Sequence, residues 1–190
     1  AARERACCSI AIQLGSRLED AAVLTHSASA TVREALLHTP PAHVFCTTSS
    51  PLEEGIAFAE ELRAAGLDVT LLPDEAAAAA LDRAGLLLVG ADTVFRDGAV
   101  CNKIGTRLLA EAAAQRRVPV VVAAESLKLV PVDAADAPPL DGEAGTFFDV
   151  TPGSLVDEVV TEEGRLSIED VGALVERTPF LRAGWDLLEP

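Results

Sequence analysis

Lysine is nearly absent from this chain of 190 residues. Lys103 and Lys128 are the only two, and arginine supplies the rest of the 15 basic side chains that face 30 acidic ones, for a formal net charge of −15. A field of that sign repels bulk phosphodiester backbone, which argues against sequence-independent nucleic-acid binding. Arginine in place of lysine, excess acid and abundant alanine read as adaptation to high salt in a GC-rich genome. Long apolar runs are missing as well: the longest, residues 118–124, has the length of a strand and not of a membrane span. The N-terminal Ala1-Ala2-Arg3-Glu4-Arg5 has no apolar signal core, and a first residue other than Met fits a chain processed or cut from a longer one. A cytoplasmic protein is the expectation. The cysteines Cys7, Cys8, Cys46 and Cys101 form no CxxC pair and stand at no metal spacing from a histidine, so neither a zinc site nor a disulfide framework is indicated. No GxGxxG or P-loop run is present, which leaves dinucleotide and nucleoside triphosphate binding without support. Neither a metal nor a cofactor is expected. Glycine and proline are not in excess, so a disordered chain is excluded.

What is present is a core. Hydrophobic residues make up 49% of a chain of one-domain length. Short β-rich runs alternate with helical patterns, the signature of βαβ units around a mostly parallel sheet, and a Rossmann-like three-layer α/β domain is expected. Strands are read at Ala22–Thr25, His43–Thr47, 68–72, Leu86–Val89, 99–101 and 118–123. Val120-Val121-Val122 lacks alternation, as a strand covered on both faces does. Leu52, Ile56, Ala59 and Leu62 make one helix face, and Ile104, Leu108 and Ala112 another. Residues 75–80 read as a short Ala-rich helix and 132–145 as a long surface loop. A last strand-like segment over 156–161 precedes an amphipathic helix carrying Ile168, Val171, Leu174 and Val175, with Ser167 as its N-cap. The expected organisation is a linking helix over 1–20, the domain proper over 21–164, and a C-terminal helix and tail over 165–190.

Polar residues gather where predicted strands end. Thr25-His26-Ser27-Ala28-Ser29-Ala30-Thr31 follows the first, Thr47-Thr48-Ser49-Ser50-Pro51 the second with Pro51 at a helix start, Gly90-Ala91-Asp92 the fourth, and Asn102-Lys103-Ile104-Gly105-Thr106 the fifth. Open parallel sheets bind ligands outside the carboxyl ends of their strands, and N–H groups at helix N-termini favour anions. One crevice suited to a small phosphorylated ligand is expected there. Ser29, Thr31 and Ser49 also serve as ordinary helix caps, and His38, His43, Cys7 and Cys8 have no chemical context beyond structure. Asp92 follows a strongly apolar strand, where a carboxylate is costly unless paired, so it is assigned a functional role. Lys103 at a helix N-terminus opposes the dipole, a conflict that a bound anion relieves. The candidate ligand-binding residues are Thr25, His26, Ser27, Ser29, Asp92, Asn102, Lys103 and Gly105. The phosphate is placed on Lys103 and the N–H groups near Gly105, and a sugar hydroxyl on Asp92.

At these same residues the chain resembles the translation initiation factor 2B family of alpha, beta and delta subunits. Leu24-Thr25-His26-Ser27-Ala28-Ser29-Ala30-Thr31-Val32 is similar to the family's LTHS-x-S-x-TV segment. Val89-Gly90-Ala91-Asp92, with Asn102-Lys103-Ile104-Gly105-Thr106, is similar to its VGAD…NKIGT signature. Pro119 to Lys128 resembles P…VAAE…K, and Phe148-Asp149-Val150-Thr151-Pro152 with Thr161-Glu162-Glu163-Gly164 resembles FDVTP…TE-x-G. Beyond Gly164 the resemblance fades. It implies a Rossmann-like domain that dimerises or joins related subunits. The family also contains ribose-1,5-bisphosphate and methylthioribose-1-phosphate isomerases, which carry a cysteine where this chain has Ser27, working with the aspartate matched by Asp92. They also carry an arginine where this chain has Ser50, and an N-terminal helical domain for which these 190 residues show no matching segment. A thiol can be tuned to titrate near neutrality, whereas an unassisted hydroxyl cannot act as a base. The resemblance therefore implies a non-catalytic member that binds a sugar phosphate or nucleoside monophosphate and acts through assembly. An aldose–ketose isomerase using Asp92 and Ser27, and a pure oligomerisation module, are the alternatives.

Overall fold

A computed structural model describes residues 2–181. Residue 1 and the tail expected over 182–190 lie outside the described residues. The chain forms α1 (Ala2–Leu18), β1 (Ala22–Thr25), α2 (Ala30–His38), β2 (His43–Thr47), α3 (Glu54–Ala64), β3 (Val69–Leu72), α4 (Asp74–Ala80) and β4 (Leu86–Val89). It continues through β5 (Thr93–Val94), β6 (Val100–Lys103), α5 (Thr106–Arg116), β7 (Val120–Ala123), α6 (Ala144–Phe147), β8 (Phe148–Thr151), β9 (Glu158–Thr161), β10 (Gly164–Leu166) and α7 (Ile168–Glu176).

The main sheet has seven strands in the order β10-β9-β7-β4-β1-β2-β3, parallel except for the antiparallel edge pair β10–β9. Alternate side chains of a strand point to opposite faces, and the β4 and β7 runs split accordingly. Leu86, Leu88, Val121 and Ala123 pack with Ile10 and Leu14 of α1, Val32 and Leu36 of α2, and Phe58 and Leu62 of α3. Leu87, Val89, Val120 and Val122 pack on the other face with Ala77 of α4, Leu109 and Ala113 of α5, and Val171 and Leu174 of α7. This is the expected three-layer α/β fold. The N-terminal helix, expected as a linker, places Ile10, Ala11, Leu14 and Leu18 in that core. Among the described residues no helix is long and apolar enough to cross a membrane.

Several expectations need correction. Residues 99–101 do not extend the parallel sheet: β6 pairs antiparallel with β5 and β8 in a separate three-stranded sheet. The cause is a hairpin turn, in which Gly98 takes φ +77° and the Phe95 N–H bonds the Ala99 carbonyl at 2.8 Å; Asp97-Gly98 is a turn pair. Helix α3 begins at Glu54, not at Pro51, so Leu52 precedes it and is 66% exposed. In α5 the buried face runs through Leu109, Ala112 and Ala113, which leaves Leu108 67% exposed. The loop over 132–145 is not purely superficial, since Val132, Ala134, Ala137 and Leu140 cover Phe95, Ala99 and Cys101 of the small sheet. Helix α7 is capped by Ser167, whose Oγ accepts from the Asp170 N–H, as expected. Its Val171, Leu174 and Val175, with Val159 and Val160 of β9, are all buried within the chain.

Candidate functional site

Strand order reverses direction between β1 and β4: β2 and β3 lie on one side of β1, and the crossover through α4 returns the chain to the other. Crevices form outside the carboxyl ends of strands at such a switch point. A cavity of about 440 Å³ opens there, of the size that holds small metabolites. Its walls come from the β1–α2 turn, the end of β4, the start of α3 and the small sheet, with Arg3 and Lys128 alongside. Gly90 permits this closeness, because a Cβ on it would lie 2.5 Å from the Ser29 Oγ.

Of the candidate residues, His26, Ser27, Ser29, Asp92, Asn102 and Lys103 line the cavity; Thr25 and Gly105 do not. Thr25 is buried behind the wall, with its hydroxyl unpartnered. The Gly105 N–H is already taken by Asp149 Oδ2 at 2.8 Å, and the Arg107 N–H approaches both Asp149 oxygens at 3.3 Å. Asp149 therefore fills the N-terminus of α5 that was expected to hold phosphate. Burial raises its carboxyl pKa, and these N–H bonds only partly oppose the rise.

His26 is a strut and not a free ligand group. Its Nε2 lies 2.8 Å from the Ile104 carbonyl oxygen and its Nδ1 2.7 Å from the Thr47 hydroxyl. A carbonyl only accepts, so Nε2 carries the proton and, in the neutral ring, Nδ1 accepts from Thr47. The chain of bonds runs on from Thr47 Oγ1 to Ser49 Oγ at 2.7 Å, which accepts the Ser27 N–H at 2.8 Å. Burial lowers the imidazole pKa, with the Ile104 bond opposing. Asp92 is exposed at the rim rather than buried, because the chain leaves the sheet after Val89. An exposed carboxylate needs no partner there, and Asp92 does face the cavity. Asn102 spends one donor on Thr106 Oγ1 at 3.1 Å, and that hydroxyl donates to the Lys103 carbonyl at 2.6 Å.

Lys103 is buried, and Glu54, a residue that the sequence pattern did not single out, lies against it. The Lys103 Nζ stands 3.0 Å from each Glu54 carboxylate oxygen, and the Ser27 Oγ donates to Oε1 at 2.7 Å. Burial pushes the Glu54 pKa up, but the bonds from Ser27 and Lys103 outweigh it and leave it lowered, hence ionised. Asp74 supports the same wall by accepting the N–H groups of Ser49 and Ser50 at 2.7 and 2.8 Å and the Thr48 hydroxyl at 3.1 Å. Burial raises its pKa, these bonds lower it, and the bonds prevail.

The other two cations share one buried carboxylate. The Arg3 Nε lies 3.1 Å from Glu125 Oε1 and the Lys128 Nζ 3.6 Å from Oε2, while Lys128 also donates to the Ala91 carbonyl. Beside them, Ser29 Oγ accepts the Val32 N–H and Ser29 O the Arg33 N–H, which leaves Ala30 and Thr31 as the open donors of the first turn of α2. None of the four cysteines lines the cavity. Burial pushes the thiol of Cys46 up to about 12 and that of Cys101 up to about 11, the latter with help from Asp92 and Asp149. No group of His, Cys, Asp and Glu among the described residues is arranged to hold a metal.

The chain has relatives among both isomerases and initiation factor subunits. The chain is 34% identical over 169 residues to the ribose 1,5-bisphosphate isomerase of Archaeoglobus fulgidus, covering 77% of this chain and 54% of that protein. It is 38% identical over 123 residues to translation initiation factor eIF2B subunit alpha of Caenorhabditis elegans, covering 61% of this chain and 40% of that one. The chain thus spans about half the length of the curated relatives it matches. Among solved structures, the translation initiation factor eIF-2B of Pyrococcus horikoshii OT3 superposes with a TM-score of 0.80 at 31% identity, over 87% of this chain and 66% of that one. The model of the initiation factor 2 subunit family matches residues 3–144, the stretch that supplies β1, β2, β3, β4 and β7 of the main sheet and most of the cavity, and the chain belongs to that family.

Proposed function

We propose that this chain is a non-catalytic member of its family that holds a sugar phosphate or nucleoside monophosphate in the switch-point cavity and acts through assembly with a second copy or related subunits. The observation that carries this reading is Ser27. At the position of the isomerases' cysteine it presents a hydroxyl that donates to Glu54 at 2.7 Å. An ionised Glu54 with a lowered pKa is a weak base for taking that proton, and the cavity has no thiol to replace it.

In this reading the phosphate sits over the first turn of α2, where the N–H groups of Ala30 and Thr31 meet Arg3 and Lys128. Asp92 accepts from a sugar hydroxyl, since a second negative charge would repel it, and the Asn102 carbonyl oxygen takes another. The phosphate thus moves away from Gly105, whose N–H belongs to Asp149. An aldose–ketose isomerase remains the second reading, favoured by relatives named ribose 1,5-bisphosphate isomerase at 34% and 38% identity. Participation in translation initiation is supported by the relatives named as initiation factor subunits.

Thermal unfolding with ribose 5-phosphate or adenosine monophosphate tests the binding. An affinity in the micromolar to millimolar range, about −8 to −4 kcal/mol, stabilises the fold by about 2.7 kcal/mol at a hundredfold excess over Kd. No rise in melting temperature with either ligand at about 10 mM would leave an oligomerisation module with a vestigial cavity.

A further inference from the structure

We propose that Glu54 sets the ligand class: its carboxylate occupies the anion position on Lys103, so the cavity takes a ligand with one phosphate and rejects a bisphosphate. The inference rests on the reading that the cavity binds a phosphorylated ligand at all.

The Lys103 side chain is only 4% exposed, and a buried ammonium is costly unless an anion meets it. Glu54 meets it with both oxygens at 3.0 Å. Three features hold the carboxylate there. Ser27 donates to it at 2.7 Å, and Ser27 is itself fixed by its N–H bond to Ser49. The loop before α3 is tied down by Asp74 through Ser49 and Ser50. Gly55 lets the first turn of α3 approach the end of β2, since a Cβ there would lie 1.9 Å from the Thr47 carbonyl oxygen. Glu54 is thus built into the wall as a resident counterion, not a surface acid that happens to lean inward.

The charge balance follows from the pairings. Lys103 is neutralised one-to-one by Glu54. Arg3 and Lys128 share the single carboxylate of Glu125, which leaves one positive charge in excess beside the open N–H groups of α2. Asp92 adds a negative charge at the rim. One phosphate finds two cations that share a single paired carboxylate, beside open N–H donors. A second finds only a satisfied ion pair and the repulsion of Glu54 and Asp92.

Calorimetry with ribose 5-phosphate and ribose 1,5-bisphosphate, on the wild-type chain and on Glu54→Gln, tests this. The glutamine keeps an acceptor for Ser27 but releases Lys103 as an anion site. The wild type is expected to bind the monophosphate roughly tenfold or more tightly than the bisphosphate, and E54Q to strengthen bisphosphate binding by roughly tenfold, which removes the preference. Bisphosphate binding to the wild type as tight as monophosphate binding, or an unchanged ratio in E54Q, overturns the inference while leaving the cavity a phosphate site. Binding of neither sugar to either protein overturns the cavity reading itself and this inference with it. Should E54Q fail to fold, the wild-type ratio alone decides.

Discussion

Replacing His26 by alanine removes the strut that joins the main sheet to the small one, and its cost can be worked from the bonds it makes. The ring is 2% exposed and bonds the Ile104 carbonyl and the Thr47 hydroxyl. Thr47 keeps its contact with Ser49, so the principal orphan is the Ile104 carbonyl. A buried acceptor left unpaired costs about 1–3 kcal/mol, and the vacated ring volume adds to that, for a total near 3 kcal/mol. For a chain of this size each kcal/mol moves the midpoint by about 2–4 °C, so His26→Ala should melt roughly 6–12 °C lower by circular dichroism at pH 8. A pH signature accompanies the loss. Burial lowers the folded-state pKa of His26, whereas the unfolded ring titrates near its ordinary value of about 6.5. Its contribution is therefore complete above that value and is lost as pH falls from there through the folded pKa. Glu54 and Asp74 also have lowered folded pKa values, but as carboxylates they lose their contributions at more acidic pH. The difference between wild type and His26→Ala should thus shrink as pH falls below about 6.5. A loss under about 1 kcal/mol, or an unchanged difference across that window, refutes the strut assignment.

Two further predictions concern the chain as a whole. A net charge of −15 repels itself, and the screening length shortens from about 30 Å at 0.01 M salt to about 3 Å at 1 M, so melting temperature should rise from millimolar to molar KCl; a flat curve would mean ordinary surface acidity. Val159 and Val160 of β9 and Val171, Leu174 and Val175 of α7 are buried within the chain, so the apolar side chains left for self-association are the exposed Leu108 and Leu127. Light scattering in molar salt should give at least a dimer, and a monomer at micromolar concentration would remove the idea.

The parts that the sequence disclosed are those where local pattern and tertiary role coincide. The runs at β1, β2 and β4 are bounded by turn residues and covered on both faces, so their limits were read as observed. Ser167 caps α7 through a local bond three residues away. The polar segments at 26–31 and 102–103 do converge: the first follows a strand end of the parallel sheet, and the small sheet brings the second against it. What stayed hidden depends on partners distant in sequence. Glu54 looks like any first-turn acid favoured by a helix dipole, and only the approach of Lys103, 49 residues later, makes it a counterion. Asp149 lies inside the FDVTP segment, yet its claim on the Gly105 N–H needs the β6–β8 pairing to appear. The small sheet depends on Asp97-Gly98 acting as a hairpin turn, a two-residue signal outside the 99–101 run. With that signal, residues 93–103 divide into two short antiparallel strands.

Binding without turnover is read directly by phosphorus NMR of the purified chain in high salt. Chloride buffer is needed, since sulfate or phosphate would compete for the cavity. The ribose 5-phosphate resonance should shift saturably as protein is added, while ribose 1,5-bisphosphate incubated with the same protein should give no new resonance. Conversion of the bisphosphate to its ketose near the median enzyme rate of about 10 per second would contradict the account and make Ser27, Glu54 and Asp92 an isomerase centre.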